Sequence, residues 1–178
     1  MSVRRYGLIG LSLFICLAAL YLLFSPFYSL TISNSDSMDA YFFITLKKNK
    51  IVKDGYAVAF MMPSKKVFKW KKYYGLSRLK YEKGEIFLKY VGCSSGEILN
   101  TVGRSDYCDG RPLTSVPKYL FLIPQPHVKI KGFPVWHNYR IPAGYFFATC
   151  PNEYGLDSRY FGLIKESRVL YNIVPLRL

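Results

Sequence analysis

A chain of 178 residues is long enough for a short anchor and one domain of about 150 residues with a core of its own. Lys and Arg number 25 against 11 Asp and Glu, a formal net charge of +14, so the partner surface to look for is anionic. With two histidines and no cysteine pair at zinc-finger spacing, a metal site is not expected.

Residues 7–24, Gly-Leu-Ile-Gly-Leu-Ser-Leu-Phe-Ile-Cys-Leu-Ala-Ala-Leu-Tyr-Leu-Leu-Phe, carry no charge. Such a run has the length needed for a hydrocarbon layer of roughly 30 Å. Arg4 and Arg5 precede it, so the positive-inside tendency keeps residues 1–6 in the cytoplasm and exports residues 25–178. The run ends in Ser25-Pro26-Phe27-Tyr28, without a small-x-small cleavage site, and an uncleaved signal anchor is expected rather than a removed signal peptide.

Ser37 follows in Asn34-Ser35-Asp36-Ser37-Met38. About a dozen residues separate it from the apolar run, a reach of at most some 40 Å at about 3.3–3.6 Å per residue. A nucleophile here meets a peptide bond just emerging from a membrane. The Ser35 hydroxyl, with the Ser37 amide, is placed to hold an oxyanion, and Met38 to pack beneath as an apolar floor. Read alone, the same residues also suit a polar turn.

Past this block the exported chain reads as strands. Residues 56–62, 85–91, 127–131, 144–149 and 169–174 are short, β-branched or aromatic, and bounded by Gly or Pro. A tight reversal is expected at 131–135. The stretch 64–83 is the one plausible helix. It carries Lys65, Lys66, Lys69, Lys71, Lys72, Arg78, Lys80 and Lys83 among Phe68, Trp70, Tyr73, Tyr74 and Tyr81. Such a segment suits an anionic lipid surface as well as a solvated insertion. No recognition motif accompanies it, so nucleic acid is not an expected partner.

Lys89 interrupts the apolar run Ile86-Phe87-Leu88-Lys89-Tyr90-Val91-Gly92. On a strand, Phe87, Lys89 and Val91 share one face, and Ile86, Leu88 and Tyr90 the other. Both faces are apolar. Burial disfavours an ammonium, and a neutral lysine takes a proton from a serine hydroxyl. Taken alone, Lys89 fits an edge strand with its amine in water better than it fits a buried base.

Of the four cysteines, Cys16 lies in the anchor and is expected to be inert. Cys93, Cys108 and Cys150 lie in the exported part, where disulfides persist, and Cys93 with Cys108 is the first choice of pair. Near the C-terminus, Gly155-Leu156-Asp157-Ser158-Arg159-Tyr160-Phe161-Gly162 offers an Asp157–Arg159 ion pair to fix a loop, with Ser158 as a hydrogen-bond partner.

Together these blocks resemble the type I signal peptidase family, and within it the conjugative-transfer, TraF-type branch. Ser35-Asp36-Ser37-Met38 is similar to the nucleophile box, with Tyr41 shortly after it. Lys53 to Phe60 is similar to the opening strand, and Leu88-Lys89-Tyr90-Val91-Gly92 to the lysine box. Pro142 to Phe147 and Asp157 to Gly162 are similar to the closing boxes, and Pro175-Leu176 fits the transfer branch. The chain departs from the pattern at three positions. Asp39 replaces a proline, Thr149-Cys150-Pro151-Asn152 replaces a Gly-Asp-Asn box, and Gly155 stands where the family often has a serine that orients the lysine.

The resemblance implies a mainly β, signal-peptidase-like domain on one N-terminal transmembrane helix, with no cofactor. It implies a Ser37/Lys89 dyad supported by Ser35, Asp157, Ser158 and Arg159. The expected activity is cleavage of an exported precursor, in this branch a conjugative pilin whose ends are sometimes joined. The expected location is the bacterial inner membrane, single-pass, with the domain facing the periplasm. Two other readings stand beside it: a general leader peptidase, and an inactive anchored partner of a secretion apparatus.

Overall fold

The computed structural model describes residues 2–33, 37–62, 84–115, 135–153 and 155–177. The apolar N-terminus folds as helix α1 (Ser2–Phe24). Among the described residues eleven strands follow: β1 (Tyr28–Ile32), β2 (Phe42–Leu46), β3 (Ala57–Met61), β4 (Ile86–Cys93), β5 (Ile98–Val102), β6 (Ser105–Cys108), β7 (Arg111–Ser115), β8 (Tyr139–Arg140), β9 (Tyr145–Thr149), β10 (Ile164–Lys165) and β11 (Val169–Leu176). A single helical turn, α2 (Ser158–Phe161), lies between β9 and β10.

The strands form two antiparallel sheets. The larger has seven strands in the order β1-β2-β11-β3-β4-β9-β10, and the smaller has four in the order β7-β6-β5-β8. Cys93 at the end of β4 is joined to Cys108 at the end of β6, with a Cα–Cα distance of 5.5 Å, so the expected disulfide ties one sheet to the other. Gly92 bulges β4 one residue earlier. A Cβ there would come within 2.8 Å of Thr149 Cγ2, so only glycine permits this close approach to β9.

The large sheet is apolar on both faces, which is why its central strands lack the simple polar alternation of a half-exposed sheet. One face packs Val58, Phe60, Val91, Phe146 and Ala148 with Phe161 and Ile164. The Phe60 and Phe146 rings meet edge to face at 5.8 Å. The other packs Ala57, Ala59, Phe43 and Ile173 with Met38 and Cys150. A third cluster, Cys93, Leu99, Cys108, Ile141 and Phe147, fills the space around the disulfide.

The strands expected at 56–62, 85–91, 144–149 and 169–174 coincide with β3, β4, β9 and β11. The strand at 127–131, most of the reversal at 131–135 and the whole of the basic segment 64–83 lie outside the described residues. The expected anchor at 7–24 needs a correction. The segment is helical, but among the described residues no helix is long and apolar enough to cross a membrane.

Candidate active site

Ser37 lies in the loop between β1 and β2. The loop is closed at its base, where the Ser33 amide donates to the Tyr41 carbonyl at 2.8 Å. Its tip leans on the middle of the large sheet, so Ser37 is buried, with 8% of its surface exposed. Lys89 comes from β4, one of the inner strands, with Val58 of β3 opposite it in register. An inner strand has no wet edge to which a long side chain can escape, and Lys89 is only 3% exposed. Its Nζ donates to Ser37 Oγ at 2.6 Å.

The burial has an electrostatic consequence. Desolvation pushes the Lys89 amine below the ordinary lysine value of 10.5, against smaller opposing pulls from Cys150 and Asp157, while Arg159 pushes the same way as burial. A base for a serine hydroxyl needs its lone pair free, and every step down in pKa raises the neutral fraction near neutral pH. When the amine is neutral the hydrogen bond reverses, and the Ser37 hydroxyl donates.

A second contact holds the same loop. The Tyr90 hydroxyl donates to Asp39 Oδ1 at 2.6 Å, and Arg177 forms an ion pair with Asp39 Oδ2. Although partial burial acts to raise Asp39, the Tyr90 hydrogen bond and the Arg177 charge outweigh it and hold the carboxyl below its usual range. Consecutive residues of β4 thus grip the loop at two points, Lys89 at Ser37 and Tyr90 at Asp39. Asp39, at the position where the family pattern has proline, holds the loop by these contacts instead of by a locked φ. Met38 between them is packed in the core, 5% exposed.

Behind Lys89 lies a buried ion pair. Asp157 caps α2, accepting from the Arg159 amide at 3.0 Å and from Arg159 Nε at 2.7 Å. Its other oxygen accepts from the Cys150 amide at 3.0 Å and the Cys150 thiol at 3.2 Å. The Arg159 guanidinium also donates to the carbonyls of Ser115, Glu153, Asn152 and Gly155. Burial opposes its charge, but Asp157 more than compensates and Arg159 stays charged. Ser158 Oγ accepts from the Ala148 amide at 2.8 Å, which fastens this loop to β9.

The fold therefore brings Ser37, Lys89, Asp157, Ser158 and Arg159 into one wall, with Met38 beneath. Ser35 lies outside the described residues. Cys93 and Cys108 stand in the disulfide, away from the dyad. The sequence reading did not assign Tyr90, Arg177 or Cys150 to the site. Tyr90 was readable as the neighbour of Lys89, and Cys150 as the odd cysteine in the altered box. Arg177 carries no local signal, because its partner is far away in the chain.

A buried serine in contact with a lysine, carried on an antiparallel β scaffold, is the equipment of a serine-type hydrolase. The chain belongs to the signal peptidase family, peptidase S26, a family of serine proteases whose model matches residues 3–174. Among solved structures it is similar to a signal peptidase I from Enterococcus faecalis V583. That match has a TM-score of 0.40 and 19% identity, and it covers 71% of this chain and 100% of that one. No curated protein sequence matches the chain.

Proposed function

We propose that this chain is an endopeptidase of the Ser/Lys dyad type that cuts exported precursors at the outer face of a membrane. The observation that carries the reading is the 2.6 Å contact between a desolvated Lys89 amine and the buried Ser37 hydroxyl. Neutral Lys89 takes the Ser37 proton as Oγ forms a bond to the scissile carbonyl carbon. The oxyanion is held by the Ser37 amide with the Ser35 hydroxyl. The protonated Lys89 then gives its proton to the leaving amine as the C–N bond breaks, and an acyl-enzyme remains. Water releases the product by hydrolysis, or the precursor's own amine releases it as a ring. Asp157, Ser158 and Arg159 keep the wall behind Lys89 rigid. No cofactor takes part.

The substrate class we favour is a conjugative pilin precursor in a type IV secretion system. Its support is the transfer-type ending Pro175-Leu176 and the closing box Asp157 to Gly162. Attachment to the bacterial inner membrane, with the domain in the periplasm, is supported by the apolar side chains that α1 presents outward. An apolar groove lined by Tyr21, Phe24, Leu30, Ile44, Leu46 and Val174 lies beside them. The basic segment 64–83 would add contact with anionic lipid.

The test is co-expression of a pilin precursor with the wild type, Ser37→Ala and Lys89→Ala, followed by intact mass. Processing by the wild type alone is the expected outcome. A product one water lighter than the linear mature chain means cyclisation, and the linear mass means hydrolysis. Processing by either variant at the wild-type rate overturns the dyad.

A further inference from the structure

A neutral lysine base presents one lone pair and two N–H groups. The lone pair must face the serine, so something else must hold the N–H groups and stop the amine from rotating away. The sheet register points to the neighbour that does this. On the β3 side, Lys89 stands opposite Val58, an alkyl group. On the β9 side, Tyr90 pairs with Thr149 and Val91 with Ala148. Cys150 follows Thr149 directly, so the chain leaves β9 at Cys150, one residue past the last β4–β9 pair and at the level of Lys89. The cross-strand neighbour on the β3 side is therefore inert, and the residue just past the end of β9 carries a thiol.

Gly155 supplies an independent observation. A Cβ built on Gly155 would lie 2.3 Å from Cys150 Sγ and 3.1 Å from Ser37 Cβ. The cysteine sulfur thus occupies the space a side chain at 155 would need, directly beside the nucleophile. Glycine at 155 and cysteine at 150 are a matched pair, in which one gives up the volume that the other fills.

We propose that Cys150 is a positioning residue for the base, its sulfur holding the Lys89 amine on the Ser37 hydroxyl in the space that Gly155 leaves open. The proposal rests on the dyad reading above and deepens it. The sulfur is itself held in place. It is fully buried, its thiol donates to Asp157 Oδ2 at 3.2 Å, and Arg159 Nη2 lies 3.6 Å away. Burial first, then the Asp157 charge, push the thiol up to about 12, so it stays protonated and does not compete with Ser37 as a nucleophile. The other charged groups acting on Lys89 are Asp157 and Arg159, and they are fixed to one another.

The experiment uses the full chain in detergent micelles, labelled with 13C-lysine, with the Lys89 resonance assigned by its loss in Lys89→Met. Cys150→Ala is expected to lower the Lys89 titration midpoint, because an acceptor of its protons has gone. Precursor processing should slow about ten- to a hundredfold, the size expected for a misplaced group, while Tm changes little. Cys150→Ser should keep both properties. Gly155→Ser alone should damage the site by collision, and adding it to Cys150→Ala should restore part of the rate. A Cys150→Ala midpoint and rate equal to wild type overturn the proposal, as does a rate lost only in step with Tm. If Ser37→Ala still processes the precursor, the dyad reading falls, whereas the effect of Cys150 on the Lys89 titration is read separately.

Discussion

Lys89 and Arg159 are both basic, both buried and both in the wall behind Ser37, yet their surroundings push them in opposite directions. Arg159 faces the Asp157 carboxylate and the carbonyls of Ser115, Asn152, Glu153 and Gly155, which replace its lost water. Lys89 faces Val58 and the Phe87 ring, with the Ser37 hydroxyl as acceptor. Arg159 is held charged, and Lys89 is pushed towards neutrality. Burial alone does not decide the charge of a buried base. The number and kind of partners do, and in the proposed mechanism one outcome serves rigidity and the other chemistry.

The sharpest way to break the paired side is Arg159→Met. It leaves the Asp157 carboxylate buried without its counter-ion and several carbonyls without donors. The expected cost is about 3–5 kcal/mol of stability, a large share of what a domain of this size has. Urea unfolding measures it, and processing should fall in step. A loss below about 1 kcal/mol would mean that water replaces the guanidinium, and that the contrast between the two bases is weaker than drawn.

Lys89→Met tests the other side, and activity and stability should part company. Processing should drop by about 10²–10⁴, the usual contribution of a general base. Stability at neutral pH should equal wild type or exceed it by up to about 4 kcal/mol, because an ill-solvated amine has been replaced by an apolar chain. The pH dependence follows from the same shift. With the folded-state value below the unfolded one, the unfolded chain binds the extra proton between the two. Wild-type stability therefore rises with pH through that window, and the Met variant lacks the rise. Activity should show an acid limb, lost as Lys89 becomes protonated, at a pH below the ordinary lysine range. A rate independent of pH up to about 10 would argue against lysine as the base.

The same contrast explains what was legible in the chain. β3, β4, β9 and β11 could be read because inner strands are continuous apolar runs, and Lys89 stood out because it broke one. Ser37 was readable from its block and its distance from the apolar segment. By contrast β1, β2, β5, β6, β7, β8 and β10 were missed. Arg111-Pro-Leu-Thr-Ser115, for instance, has little strand propensity, and it is a strand only because β6 pairs with it. The place of Cys150 was hidden for a similar reason. It depends on the register between β4 and β9, on the bulge at Gly92 and on the volume left by Gly155, and no local pattern encodes those. The Asp157–Arg159 pair was visible as neighbours two apart, but its carbonyl partners come from loops whose approach only the fold defines.

Asp106 offers a smaller test of the same rule, on an acid instead of a base. It is 3% exposed and accepts from Thr101 Oγ1 at 2.6 Å, and no salt bridge to it is found among the described residues. Burial pushes its carboxyl up to about 6, with Thr101 opposing and the Asp157 charge adding to the rise. The folded value lies above the unfolded one, so the folded state binds more protons across the interval from about 4 to 6. The stability contributed by the protonated form is complete below that interval and lost as pH rises through it. Asp106→Asn keeps an oxygen acceptor for Thr101 and removes the charge. It should raise Tm by a few degrees at pH 7 and by less at pH 4. Thermal melts at the two pH values decide it. An equal change at both would mean that the carboxylate has enough partners to stay charged where it is, and the partner count at Asp106 would need revision.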